Sequence, residues 1–331
     1  MIFCHLPDLV ESVYNGLALE DLLTQRSEGS EPVLLIWTGP EAVVMGKNQN
    51  PWREVNLEAL RKHNLPLARR ISGGGTVYHD PGNVNISWVF PRDKYDASRI
   101  QKAWTHTLKE LGLIPQPGVS GGFRVQGKKV SGAAFCYRKD HVLHHGTLLL
   151  SAHLNRMRQL LSPRKVTVDT HAVDSIPAAV ANLQDFVPEI SGDQVIEILR
   201  KHTEKEFGSL TPNPKLFDPQ QIQTKADEFQ QPEWIWDQTP SFKVEAGPLH
   251  FQVRKGMTSD WKQDGRSLDI PPLPFRKSSL TKWAKGLGMD AKELENDLAD
   301  HGWGLPNENG KTDFFRHISE GQRLGSRQSS P

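Results

Sequence analysis

The chain lacks the features that announce a compartment or a charged partner. It has only two cysteines, Cys4 and Cys136, in 331 residues. That excludes a disulfide scaffold and a cysteine-based zinc site, and points to a reducing compartment. No sign of charge dominates: the formal net charge is +1, so no global field draws the chain to nucleic acid or to an anionic membrane. No apolar run approaches the ~20 residues of a membrane span. The segment Met1 to Val10 holds Asp8 and neither Lys nor Arg, unlike a secretory signal or a transit peptide. A soluble cytoplasmic protein, or the processed form of a mitochondrial matrix protein, is expected. Two common nucleotide loops are also missing. There is no Gly-x4-Gly-Lys-Ser/Thr, and no spaced-glycine fingerprint opening a helix.

What is present is concentrated between Leu67 and Ser87, LARRISGGGTVYHDPGNVNIS. Three successive glycines, Gly73 to Gly75, strip side chains from a loop, so its N–H groups can turn inward onto a ligand. Arg69 and Arg70 precede it and offer fixed positive charge to an anion. Thr76-Val77-Tyr78 is β-prone, and Asn85 to Phe90 reads as another strand. The combination suggests a pocket for a phosphate-bearing molecule. The bland alternative is a tight turn inside a sheet, with glycines serving geometry alone.

The length suits about two domains. Helices are expected over Leu17–Leu23, Asn56–His63, Ser98–Leu111 with Ser98 as cap, and Asp193–Phe207. Strands are expected at Val33–Trp37, Ala42–Met45, Leu67–Ile71 and His141–Leu150. Thr211 to Gln231 is polar and proline-containing and reads as extended surface chain. Trp234-Ile235-Trp236 reads as a packing anchor. The expected division is a catalytic domain at 1–244, a small α+β domain at 245–320, and a disordered tail at 321–331 rich in Ser, Gly and Arg. In the second part Leu249–Val253 and Met257–Trp261 form a hairpin turned at Lys255-Gly256, followed by helices at Ser278–Leu287 and Asp290–His301.

A second constellation is Gly127-Lys128-Lys129-Val130-Ser131-Gly132. Phe123–Val125 and Lys128–Val130 flank Gln126-Gly127 as a hairpin. Side chains alternate along a strand, so Lys128 and Lys129 diverge and one of them can enter a covered face. A lysine there is costly unless it meets an anion; a solvated hairpin tip is the competing reading. Gly132-Ala133-Ala134 leaves room for a flat ligand. His141, His144 and His145 lie close in sequence, but no nearby acid completes a metal set.

RRISGGGTVYHDPGN, GKKVSGAA and HHGTLLL together resemble the motifs of lipoate–protein ligase A and the related lipoyltransferases, in the same order and with similar spacing. GKNQNPWREVN (Gly46 to Asn56) and WIWDQTPSF (Trp234 to Phe242) extend the resemblance over nearly the whole chain. The resemblance implies an α+β fold shared with biotin ligases and the class II aminoacyl-tRNA synthetase core. It implies activation of lipoate by ATP with Mg2+ to lipoyl-AMP, then transfer to a lysine of a lipoyl carrier domain. That carrier belongs to a dehydrogenase acyltransferase subunit, a glycine-cleavage H protein or a similar protein, and the enzyme itself is expected to be a monomer. Carried over by position, Arg70, Gly75, Thr76, Val77 and Tyr78 would bind the adenylate, and Lys129 would be catalytic, touching both lipoate carboxylate and phosphate. Gly74, His79, Ala134 and His145 would join Lys129 at lipoate, and Val44, Gly46 and Ala134 are candidates for its greasy slot.

One departure stands out. Where the family usually carries Gly-Arg-Asn-Asp or Arg-x-Asp, this chain has Val119-Ser120-Gly121-Gly122. The acidic residue that would help place magnesium and phosphates is missing. Ser175-Ile176-Pro177 through Asn182-Leu183 is closer to the lipoyltransferase version of its segment. An ATP-dependent ligase therefore stands beside a transferase that uses preformed lipoyl-AMP, an octanoyltransferase with a cysteine nucleophile, and a non-catalytic module that binds lipoate or a carrier.

Overall fold

The computed structural model describes residues 1–6, 10–27, 30–118, 121–162, 168–213 and 216–307. Val119, Ser120 and the expected tail 321–331 lie outside the described residues. Six strands make the main sheet, in the order Ser131–Tyr137, His141–Leu149, Asn83–Pro91, Val33–Trp37, Ile2–His5 and Thr211–Pro212. The first four run antiparallel to one another; Ile2–His5 pairs parallel with Val33–Trp37 and with Thr211–Pro212.

Strand alternation divides this sheet into two faces with different tasks. Val84, Ile86, Trp88 and Phe90 point to one face and pack on Ile100, Trp104, Leu108, Val195 and Leu199. These belong to the helices Ala97–Glu110 and Gly192–Phe207. The first is capped by Asp96, whose carboxylate accepts from the Ser98 and Arg99 amides, not by Ser98. The opposite face carries the helix Val13–Thr24 and a three-stranded sheet, Leu67–Arg69, Ala42–Met45 and Val77–His79, packed through Leu17, Val44, Ala68 and Val77. The two sheets are not fully closed on each other, and the site lies between them.

One expectation fails. Thr211 to Gln231 is not extended throughout: Pro219–Gln230 is a helix. Asp218 caps it, Pro219 occupies its first turn, and Gln221 closes a capping box. Ile222 and Phe229 then give it an apolar side that packs into the same core as Leu17 and Leu23. The polar composition masked a helix needing only a narrow apolar stripe.

The C-terminal part is a five-stranded sheet, ordered Asp169–Thr170, Phe242–Ala246, Leu249–Arg254, Met257–Gln263 and Arg266–Ser267, with helices Leu280–Leu287 and Ala291–Asp300. Strand Phe242–Ala246 crosses residues 244 and 245, and Asp169–Thr170 joins the sheet from earlier in the chain. Its tryptophans Trp261, Trp283 and Trp303 share one apolar cluster with Trp52 and Trp236. The Trp52 and Trp236 rings lie 5.3 Å apart, and Trp52 Nε1 donates to the Gly304 carbonyl. Among the described residues no helix is long and apolar enough to cross a membrane.

Candidate active site

The glycine loop takes its shape from a close backbone contact. A methyl group at Gly46 would stand 2.1 Å from the Gly74 carbonyl oxygen, and Gly74 has a φ of +83°, so neither position tolerates a side chain. Gly46 therefore supports the loop rather than lining an acyl slot as expected. The two arginines before the loop part company by strand alternation. Arg69 is fully buried and donates to the carbonyls of Gly46, Lys47, Gln49 and Ile235 and to Thr239 Oγ1. It ties the Gly46–Gln49 turn to the Trp234–Thr239 segment and lines neither cavity of the site. Arg70 reaches under the loop, donating to the carbonyls of Val44, Gly73 and Gly75 and to Ser72 Oγ. Burial pushes the Arg69 and Arg70 guanidiniums down to about 9 and about 10, still charged at neutral pH.

His79 and Asp80 also separate. His79 lines a cavity between the two sheets, with its ring 5.7 Å from Trp37. Burial pushes its pKa down to about 3. Asp80 holds the turn instead, accepting from the amides of Gly82 and His153.

That cavity measures about 270 Å³. Gly74, Gly75, Thr76, Val77, His79 and Val44 come from the small-sheet side, and Gly132, Ala134, His145, Thr147 and Asn85 from the main sheet. Leu17 and Glu20 on the helix Val13–Thr24, with Trp37, close one end. A second cavity of about 640 Å³ lies alongside, lined by Tyr78, Arg53, Glu54, Leu149, Met157 and Arg158 among others. Lys129 lines both, together with Thr76, Val77, Gly132 and Thr147.

Lys129 is held there by its backbone. Gln126 and Gly127 both have positive φ, the geometry of a type I′ hairpin, and Val125 pairs with Lys128 across them. Lys128 is exposed. Lys129 turns inward, its amide donating to the Ala179 carbonyl and its carbonyl accepting from the Ala181 amide. Burial, then Arg124 and Arg70, hold its ammonium below the usual lysine range. Among the described residues no carboxylate pairs with it.

The motifs did not single out Glu20, although an acid on the Leu17 face of an apolar helix was a signal. Glu20 is buried and lies 2.9 Å from His145 Nδ1; it also accepts from Ser87 Oγ and Trp37 Nε1. His145 Nε2 lies 2.6 Å from Ser72 Oγ, which accepts from Arg70 Nε. Burial alone would raise the Glu20 carboxyl, but His145, Ser87 and Trp37 outweigh it and hold it below the usual range. A continuous polar chain thus runs from Glu20 to the glycine loop. Of the other histidines, His141 Nε2 meets Ser30 Oγ at 2.9 Å, and the His144 ring lies tilted 4.4 Å from Phe135, on the opposite face from His145.

The segment from Val173 to Pro177 has no regular secondary structure and covers both cavities. Its anchor is Ser175. The Ser175 hydroxyl accepts from the Thr76 amide (2.8 Å) and Gln49 Nε2 (3.1 Å) and donates to Glu54. Asp174 pairs with Arg53 at 2.6 Å. Neither cysteine lines either cavity; Cys4 is buried, which pushes its thiol up to about 11. Among the described residues no three His, Cys, Asp or Glu side chains converge to hold a metal ion.

A paired chamber with a shared cation suits a carboxylic acid meeting a second anion, and comparison with known proteins agrees in kind. Residues 12–204 match a model of the lipoyl protein ligase A/B catalytic domain. A crystal structure of lipoate-protein ligase A bound with ATP is 26% identical, covering 69% of this chain and 94% of that chain with a TM-score of 0.58. The bipartite lipoate protein ligase of Thermoplasma acidophilum, described with its E2 lipoyl domain, is 25% identical over 71% of this chain and 96% of that one, with a TM-score of 0.59. P. falciparum LipL1 in complex with lipoate shares the fold at 21% identity and a TM-score of 0.61, over 91% of this chain and 98% of that one. The chain belongs to the lipoyl protein ligase A/B catalytic-domain family.

Proposed function

We propose that the protein is an ATP-dependent lipoate–protein ligase, with the smaller cavity taking the acyl chain and the larger one the nucleotide. The observation that carries this reading is Lys129, the cation common to both chambers. In the first step a lipoate carboxylate oxygen attacks the α-phosphorus of ATP, the bond to the β-phosphate oxygen breaks, and pyrophosphate leaves. Two anions must approach, and a fixed ammonium between them lowers the barrier. In the second step the amine of a carrier lysine attacks the acyl carbon, loses a proton and displaces AMP. Lys129 then balances charge on the departing phosphate.

Tyr78 stands at the nucleotide side and Thr76 and Val77 line both chambers, whereas Gly75, expected at the adenylate, lines the acyl side with Gly74, His79, Ala134 and His145. Arg70 acts through the loop carbonyls it holds. Magnesium is bound in nucleotide sites chiefly through phosphates and water, so it enters with ATP rather than in a protein cage. The acceptor is a lipoyl carrier domain, as the archaeal ligase and its E2 lipoyl domain suggest. Two cysteines outside any disulfide suit a reducing compartment, the cytoplasm or the mitochondrial matrix.

Pyrophosphate release on mixing protein, ATP, magnesium and lipoate without acceptor tests the reading. Release is expected. Silence, with carrier acylation restored by added lipoyl-AMP, would assign a transferase instead, the reading favoured by Gly121-Gly122, where the resemblance implies Arg-x-Asp.

A further inference from the structure

We propose that Asn85 is a specificity-determining residue, making the acyl cavity prefer a sulfur-bearing chain over a plain alkyl chain. The inference rests on the functional reading above, in which Lys129 receives the carboxylate.

Strand register orders the cavity floor. Gly132 pairs with Thr147, Thr147 with Asn85, and Asn85 with Trp37. All four line the smaller cavity, so they form a row crossing the strands. Lys129 stands at the Gly132 end, where its Nζ would be 3.2 Å from a methyl group on Gly132. Trp37, edge-on to His79, stands at the other. With strands about 4.8 Å apart, Asn85 is two spacings, about 10 Å, from Gly132. A pentanoate chain with C–C bonds of about 1.5 Å, its carboxylate at Lys129, carries its terminal ring to the neighbourhood of Asn85.

The amide there is half used. Asn85 Oδ1 accepts from Asn83 Nδ2 at 3.2 Å. Asn85 Nδ2 is buried and has no hydrogen-bond partner. Ser87 is engaged with Glu20, Glu20 with His145 and His145 with Ser72, so the nearby polar atoms left without a partner are Asn83 Oδ1 and His79 Nδ1, and neither lies within hydrogen-bond reach of Asn85 Nδ2. An apolar side chain would fit a cavity built for a pure alkyl chain at less cost, because a buried donor without an acceptor is destabilising. A dithiolane sulfur carries lone pairs and accepts a hydrogen bond, if weakly. A methylene accepts nothing. Lipoate therefore satisfies the Asn85 donor, and octanoate leaves it orphaned.

Titration calorimetry of the full chain with lipoate, octanoate and 5-cyclopentylpentanoate tests this. The last keeps the shape of lipoate with both ring sulfurs replaced by carbon. Lipoate is expected to bind about tenfold more tightly than the carbocycle. In Asn85→Leu and the smaller Asn85→Ala, lipoate weakens, octanoate strengthens, and the preference collapses. Equal binding of all three acids by the wild-type protein overturns the inference and leaves the functional reading standing. So does a parallel loss for all three in the variants, which a merely structural role would give. Failure of the wild-type protein to bind any of the acids overturns both.

Discussion

The two cavities that share Lys129 are built by opposite means. The floor of the smaller is four antiparallel strands, and its polar groups lock one another in a chain from Glu20 through His145 and Ser72 to Arg70. The larger lacks such a floor and depends on Val173–Pro177, an irregular segment that reaches over both chambers and is pinned by single side chains, Ser175 on Thr76 and Asp174 on Arg53. One side is organised before a ligand arrives. On the other, the Thr76 amide is already taken by a serine hydroxyl, so under the proposed function nucleotide binding would be an exchange of partners. Tests of this contrast ask whether damage stays on its own side.

Lys129→Ala has the largest expected effect, because it belongs to both sides. Carrier acylation should fall by at least ~10²-fold while the unfolding midpoint stays near wild type, and Lys128→Ala should be close to neutral. Loss of transfer with pyrophosphate release intact would mean the lysine serves one chamber only. Burial and the nearby arginines hold the Lys129 ammonium below the usual lysine range, so its charge is lost early as pH rises. Activity should decline on the alkaline side before ordinary lysines titrate, and Lys129→Arg should move that decline upward.

Glu20→Ala should damage the rigid side. Removing one partner of a buried pair costs about 3–5 kcal/mol, read by denaturant unfolding, and the glycine loop loses its support from His145. Because the Glu20 carboxyl is held below its ordinary value, its contribution is present above the unfolded carboxyl range and fades as pH falls through the folded one. Glu20→Gln should therefore resemble wild type most closely in acid.

His79 sharpens the same point with a pH slope. Burial holds its folded pKa at about 3, under the ordinary histidine value of 6.5. Between the two the unfolded chain binds more protons, so stability rises with pH across that window and is lost on acidification. The slope is at most about 1.4 kcal/mol per pH unit. His79→Gln should flatten it; an unchanged slope would mean His79 is not the buried neutral group described.

Much of the rigid side was legible in the sequence, because local rules govern it. Gly74 needs a left-handed backbone, Gln126-Gly127 sets a two-residue hairpin, and that turn dictates which of two lysines faces inward. What escaped notice depends on pairing across long separations. Glu20 meets His145, 125 residues away, and Ser175 meets Thr76, 99 residues away. Arg69 and Arg70 look alike in the motif, yet one is a core brace and the other a loop support. Only the pairing of Leu67–Arg69 with Ala42–Met45 decides which. The helix Pro219–Gln230 was missed for a related reason: its worth lies in packing beside Val13–Thr24, while its own composition is polar.

Ser175→Ala is expected to have the smallest effect, and it separates the two sides most cleanly. The hydroxyl occupies the Thr76 amide and the Gln49 side-chain amide while donating to Glu54. Without it, the Thr76 amide is left unpaired, at a cost of about 1 kcal/mol in the free protein, while Gln49 Nε2 keeps the Val173 carbonyl at 3.3 Å. ATP no longer has to displace a protein oxygen to reach the Thr76 amide, so its affinity should rise a few-fold. The floor of the acyl cavity makes no hydrogen bond to Ser175, and lipoate affinity should not move. A shift in lipoate affinity as large as that in ATP would show that the covering segment couples the chambers, and that the contrast between a preorganised and an exchangeable side is wrong.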